Sequence, residues 1–173
     1  DSSTSRGLGD VYKRQAKALM EQGCDMLAQH TDSPAPLQAA EVLGKLGFGQ
    51  ASDQIKFAPK AQLTATIDNW SPYYIARVQA VIDGTWESGD YFGHMNDDVV
   101  QMAPFTNMPP EVAAKAQEVK DAITAGEYFA FTGPIYDQAG NLQIADGEVA
   151  TDGQLNGMNS VSYTHLTLPT NRE

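Results

Sequence analysis

The sequence predicts an α/β fold with parallel strands, because short apolar segments alternate with amphipathic segments along the chain. Hydrophobic residues make up 42% of the 173 residues, which is enough to bury a sizeable core. Two strand-like segments are each followed by a polar terminus and then a Ser-Pro pair that can begin a helix. This order is typical of βαβ units.

The first half of the chain shows this alternation most clearly. Leu37, Ala40 and Leu43 fall on one face of a predicted helix, and Ile75, Val78 and Ile82 fall on one face of another. The predicted elements, in chain order, are a helix at 16–22 that stops at Gly23, a strand at 25–29, a helix from Ser33-Pro34 to Gly44, a strand at 46–49, a strand at 62–67, and a helix from Ser71-Pro72 to Gly84.

The pattern of the second half of the chain predicts two hairpins and one further helix. Residues 86–105 are interpreted as a hairpin that contains Val99, Val100 and Met102, and residues 134–146 as a second hairpin that turns at 138–141. The helix at 110–125 has an apolar stripe and ends at Gly126. That stripe requires a partner surface.

Both ends of the chain differ from the segment between them. Residues 1–15 and 161–173 do not continue the apolar periodicity of their neighbours and resemble translated adapter sequence, so the domain is assigned to residues 16–160. Genuine flexible termini are the alternative. No signal peptide and no apolar run of roughly 20 residues is recognisable. If the parent protein is exported, its signal peptide is expected upstream of residue 1.

Charge and cysteine content exclude several classes of function. The net charge of −11 disfavours nucleic acids and anionic membrane surfaces as partners. Cys24 is the only cysteine, and no plausible base stands beside it. Because GxSxG, P-loop and GxGxxG motifs are also absent from the sequence, it lacks the groups for covalent catalysis and phosphate transfer. His94 lies near three aspartates, but without a second His or Cys at ligand spacing we expect no metal there.

Polar residues follow three of the predicted strands. In open α/β sheets ligands bind beyond the carboxyl ends of the strands, so these residues are expected to meet at one edge, with Thr31, Gln50 and Asp68 within the width of one pocket. Asp and Asn also serve as capping and turn residues, which is the structural alternative for each of them. The candidate ligand-binding residues are His30, Thr31, Asp32, Gln50, Asp53, Asp68, Asn69 and Trp70.

Several ordered motifs resemble one family of transport proteins. They are QHTDSPAP at 29–36, GFGQASD at 47–53, TATIDNWSPYY at 64–74, GTW at 84–86 and FTGPI at 131–135. Together they are similar to the C-terminal half of the basic membrane protein (BMP) family, the solute-binding proteins of ABC importers for purine nucleosides and related solutes. The resemblance implies a type I periplasmic-binding-protein fold of two Rossmann-like lobes, of which this chain is a part.

The resemblance also implies a function. The full-length protein is expected to be a periplasmic or cell-surface lipoprotein, monomeric, without cofactor or catalysis, that passes a purine to ABC permease subunits. Nucleoside-binding relatives hold ribose with an aspartate and a lysine, where this sequence has Ala51 and Asp68. Adenine is therefore favoured over a nucleoside. The alternatives are a ligand-sensing module of the same fold, and an enzyme that uses Asp32, Asp53 or Asp68 as acid-base groups.

Overall fold

The computed structural model describes residues 2–137 and 139–158, without the side chains of residues 2–6 and 8. The chain divides into two compact units, residues 1–125 and residues 126–173. The elements in chain order are α1 Ser2–Glu21, β1 Met26–Ala28, α2 Ala35–Val42, β2 Leu46–Gly49, a 3-10 helix Ile55–Phe57, β3 Gln62–Asp68, α3 Ser71–Ile82, β4 Val100–Met102, α4 Pro110–Thr124, β5 Ile135–Tyr136, β6 Leu142–Ile144 and α5 Asp152–Asn156.

The first unit is built on a four-stranded sheet of order β1-β2-β3-β4. The first three strands are parallel, with Leu27 opposite Gly47 and Phe48 opposite Thr64. Strand β4 joins antiparallel, with Val100 opposite Asp68. The predicted α/β fold with parallel strands is confirmed.

An alanine-rich core lies between one face of the sheet and the helices α1 and α2. Leu37 of α2 is 1% exposed and packs there with Ala40 and with Met20 of α1. A Cβ at Gly47 would lie 2.9 Å from Cδ2 of Leu37 and 3.0 Å from the carbonyl oxygen of Leu27. Glycine at position 47 therefore lets α2 pack closely on β2.

The opposite face of the sheet is packed less closely. Leu46, Phe48 and Leu63 line a cavity of about 430 Å³ that also borders Val112 of α4. A second cavity of about 590 Å³ lies along the apolar stripe of α4, between Val112 and Ile123. The stripe predicted for the helix at 110–125 thus faces the sheet without being buried by it.

The helix α1 extends further than the sequence predicts. Its predicted start at Ala16 is wrong, because the helix begins at Ser2. Of its side chains that the structure describes, Ala16 is the first to be buried, and Met20 follows one turn later. Leu8 and Tyr12 stand at four-residue spacing before Ala16 and Met20, so the apolar periodicity of the packed part does extend towards the start of the helix, and the sequence analysis missed it. The assignment of residues 1–15 and 161–173 to adapter sequence stays a prediction, and residues 159–173 lie outside the described residues.

The hairpin predicted for residues 86–105 is wrong. Residues 85–99 contain neither helix nor strand, and Val100–Met102 forms a single strand that pairs with β3. The apolar residues Val100 and Met102 supply a strand, but its partner lies far away in sequence. Local pattern favours a neighbouring partner, which is why the sequence indicated a hairpin.

Helix α3 ends as predicted but has no buried residue. Its apolar stripe of Ile75, Val78 and Ile82 is exposed within the described chain, with Ile82 71% exposed. Among the described residues no helix is both long and apolar enough to cross a membrane.

The second unit contains the second predicted hairpin, formed by β5 and β6. Its turn is held by Asp137, whose Oδ1 accepts hydrogen bonds from the backbone N–H groups of Ala139 and Asn141. The side-chain amide of Asn141 also donates to Asp137 and lowers the pKa of that carboxyl below its ordinary value. Position 138, within the predicted turn, lies outside the described residues.

We expect Leu37→Ala to lower the free energy of unfolding by about 2–5 kcal/mol, because it opens a cavity in the core between α2 and the sheet. Ile82→Ala is the matched control and should change it by less than about 0.5 kcal/mol, since Ile82 is exposed. Urea denaturation followed by circular dichroism measures both. Equal losses from the two variants would contradict this description of the core.

Candidate ligand-binding site

The carboxyl ends of β1, β2 and β3 lie at one edge of the sheet, because the three strands are parallel. The backbone N–H of Asp68 donates to the carbonyl of Ala51 over 3.1 Å, which joins the end of β3 to the turn after β2. On the other side of β2, Gln29 at the end of β1 donates to the side chain of Gln54 over 2.9 Å. The parallel pairing agrees with the expectation that the three strand ends share one edge, and the closer expectation that Thr31, Gln50 and Asp68 lie within the width of one pocket stays a prediction.

A set of three glutamines, which we call the glutamine network, joins the end of β1 to the loop after β2 and to the first residue of β3. The network consists of Gln29, Gln54 and Gln62, and the last is only 1% exposed. Gln62 accepts from the backbone N–H of Gln54 over 3.0 Å and donates to Asp53 over 2.7 Å. Thr31 extends the network by donating to Gln29 over 2.9 Å.

Sequence reasoning missed all three of these glutamines as site residues. One of them, Gln62, could have been recognised from the sequence. It is a long amide at the first position of β3, whose next five residues are apolar or β-branched. A polar side chain in a buried strand requires hydrogen-bond partners, which must come from the loops around it.

Two of the predicted site residues are engaged in holding the loops. Asp53 accepts from the backbone N–H of Ile55 as well as from Gln62, both at Oδ1. Asn69 donates to the backbone and side chain of Asp98 over 2.9 and 3.2 Å. These contacts agree with the turn and capping alternative for Asp and Asn.

Other predicted residues present free polar groups at the same edge. His30, Asp32 and Asp68 are exposed. Within the described part of the chain, no hydrogen bond reaches the carboxylates of Asp32 and Asp68. Gln50 is half-buried, and its carbonyl accepts from the side chain of Gln54 over 3.4 Å. Asp68 therefore combines an exposed carboxylate with a backbone that is held by a hydrogen bond to Ala51.

Aromatic rings line the edge after β3. Trp70 is 49% exposed and packs edge-on against Tyr73, with 5.9 Å between the ring centroids. Tyr74 lies 6.2 Å from Trp70, and Tyr91 lies 4.8 Å from Tyr73. The guanidinium of Arg77 lies over the Tyr73 ring at 5.5 Å. The cluster holds Trp70 with part of its indole accessible, as a planar ligand would require.

The turn after β2 has an unusual backbone at Ala51. This residue has φ 60°, in the left-handed region that costs a residue with a Cβ about 1–2 kcal/mol. Its carbonyl is the acceptor for Asp68. The left-handed turn therefore places the backbone of residue 51 against the end of β3.

The described residues contain no group of three or more His, Cys, Asp or Glu side chains arranged to hold a metal ion. The polar groups at the edge are hydrogen-bond donors and acceptors beside an aromatic ring. Such a surface suits a small planar polar molecule.

Comparison with known proteins identifies the family. A sequence model of the Bmp family, described as ABC transporter substrate-binding proteins that are PnrA-like, matches residues 9–131. The chain belongs to the Bmp family. The resemblance drawn from the sequence motifs is confirmed. Proteins of the Bmp family are extracytoplasmic substrate-binding proteins of ABC transporters.

Two relatives show how far the similarity extends. The chain is 53% identical over 144 residues to a purine-binding protein of Brucella abortus, a match that covers 83% of this chain and 41% of that protein. It is 31% identical over 115 residues to a putative ABC transporter glucose-binding protein of Haloferax volcanii, covering 66% of this chain and 28% of that protein. The chain thus spans less than half the length of these Bmp-like relatives.

A solved structure supports the fold. The crystal structure of a transcriptional activator of the comK gene from Bacillus halodurans superposes with a TM-score of 0.60, covering 70% of this chain and 44% of that one. The sequence identity is 18%, so this likeness shows the fold alone.

We expect Asp53→Ala to lower the free energy of unfolding by about 1–3 kcal/mol, because the buried amide of Gln62 loses its acceptor. Asp32→Ala is the matched control and should change it by less than about 0.5 kcal/mol, because its carboxylate is exposed. Thermal denaturation of the two variants measures the difference. An unchanged stability in Asp53→Ala would show that the contact with Gln62 does not hold the loop.

Proposed function

We propose that the protein binds a purine base, adenine in preference to adenosine, as the extracytoplasmic solute-binding component of an ABC importer. The observation that carries purine binding is the 53% identity to the purine-binding protein of Brucella abortus, within a family of substrate-binding proteins. The edge of the sheet offers matching chemistry, since an exposed carboxylate at position 68 and a half-exposed indole at position 70 stand two residues apart there.

Positions 51 and 68, which are neighbours in the structure, support the preference for a free base. The resemblance assigns an aspartate and a lysine of nucleoside-binding relatives to Ala51 and Asp68, and these two residues are joined by a backbone hydrogen bond. Ala51 offers no side-chain partner to a ribose hydroxyl. A carboxylate at position 68 accepts hydrogen bonds only, so it matches the amino group and ring N–H of adenine. A nucleoside has lost that ring N–H to its glycosidic bond.

Asp53 follows Ala51 by two positions and is the other carboxylate of this turn that a ribose hydroxyl could meet. Its Oδ1 accepts from Ile55 and from Gln62, so this oxygen is committed to the loop. That commitment favours Ala51 as the counterpart of the ribose-binding aspartate.

Membership of the Bmp family indicates which partners the full-length protein would have. The full-length protein would deliver its purine to ABC permease subunits as a monomer, with a lipid anchor to the cell surface or in the periplasm. Binding without chemical change is sufficient for this role. A purine-processing enzyme would convert its substrate, and a sensor would engage a partner other than a permease.

In the full-length protein we expect adenine to bind at least about tenfold more tightly than adenosine, the factor that one matched buried hydrogen bond provides. The double variant Ala51→Asp with Asp68→Lys should narrow or reverse the preference. Competition calorimetry with adenine, adenosine and glucose measures this.

Glu87→Lys is the matched control, because it reverses an exposed charge outside the site and should leave the preference unchanged. Displacement of adenine by an equal concentration of adenosine from the unaltered protein would contradict the choice of a free base. Displacement by glucose would contradict purine binding, and release of a converted product would show an enzyme.

We also expect the isolated 173-residue chain to bind adenine weakly, with a dissociation constant above the micromolar range. It spans 41% of the length of the purine-binding relative, and a two-lobed receptor surrounds its ligand with surfaces from both lobes. Calorimetry of the chain by itself checks this. Micromolar or tighter binding would show that the edge of this sheet alone forms a complete site.

A further inference from the structure

The hydroxyl of Thr31 has one proton and two neighbouring acceptors. Its Oγ1 lies 2.9 Å from Oε1 of Gln29 and 3.0 Å from the carbonyl oxygen of Ser33. Both neighbours are oxygens that only accept. Whichever of the two bonds forms, the proton of Thr31 points into the protein.

The orientation of the Gln29 amide follows from backbone groups at the other end of the glutamine network. The carbonyl of Gln50 can only accept, so Nε2 of Gln54 faces it and Oε1 of Gln54 faces Gln29. Gln29 must then donate to Gln54 through its Nε2. Its Oε1 is left facing Thr31.

The rest of the network fixes Gln54 in place. The backbone N–H of Gln54 donates to Oε1 of Gln62, and the Nε2 of Gln62 donates to Asp53. Gln54 is 6% exposed and Gln62 is 1% exposed, so reversing either amide would bury unmatched donors and acceptors. The link from Gln62 runs through the backbone N–H of Gln54, so it fixes the position of Gln54, while the carbonyl of Gln50 orients its side-chain amide. The proton of Thr31 points inward in either orientation of the Gln29 amide, because the carbonyl of Ser33 also accepts it.

We propose that Thr31 is a specificity-determining residue that accepts a hydrogen bond from the exocyclic amino group of the bound base. Thr31 is half-buried and its proton is committed inward, so its oxygen offers only lone pairs to a ligand at the strand ends. A threonine that is free to rotate would accept or donate equally well. This inference rests on the proposed purine site and assigns one contact within it.

The test compares adenine with unsubstituted purine, which has the same ring system without the amino group. In the full-length protein we expect adenine to bind about tenfold more tightly than purine. Thr31→Val should lower adenine affinity about tenfold and change purine affinity less than about twofold. Thr31→Ser keeps the hydroxyl and should retain the selectivity.

Thr124→Val is the matched control, because the exposed Thr124 hydroxyl bonds only to the backbone of α4 at Lys120. Thermal denaturation of each variant verifies folding. Equal loss of adenine and purine binding in Thr31→Val, or no loss of either, would overturn the role of Thr31 and leave the proposed function intact. If neither base binds the unaltered protein, the proposed function and this inference fail together.

Discussion

Parallel pairing of β1, β2 and β3 is the constraint on which the candidate site depends, because it brings the carboxyl ends of the three strands to one edge of the sheet. The middle strand of the three, β2, is also the one on which α2 packs, because Gly47 leaves room for Leu37. A larger residue at position 47 would move α2 away from the sheet. Core packing and site geometry are therefore coupled through one strand.

The glutamine network solves a problem that this arrangement creates. Loops that converge on a strand edge carry polar groups away from water, and each group needs a partner. Gln62 and Gln54 supply these partners from buried positions and use up one oxygen of Asp53 in doing so. Among the groups left over at this edge, the hydroxyl oxygen of Thr31 and the carboxylates of Asp32 and Asp68 can accept hydrogen bonds. The contacts that satisfy the buried loops thus also shape the proposed recognition surface.

The sequence predicted the parts of this structure that depend on local pattern. Strand β2 has its predicted bounds, and the motif from Thr64 to Tyr74 indicated the correct family. The missed features depend on contacts between distant residues. Gln29 meets Gln54 across 25 positions, and β4 pairs with β3 across a long irregular segment, so periodicity has no information about either. For the same reason the pattern of α3 could indicate an apolar face but not whether the described chain covers it.

The left-handed backbone at Ala51 has an evolutionary consequence. Aspartate and asparagine tolerate that conformation better than most residues with a Cβ, so the turn accepts an acidic residue without rebuilding. Some alanine and aspartate codons differ by a single nucleotide. Position 51, whose carbonyl contacts Asp68, is thus a place where one point mutation can add or remove a carboxylate at the site while the scaffold stays the same. Related proteins on this fold can diverge in ligand preference by such small steps.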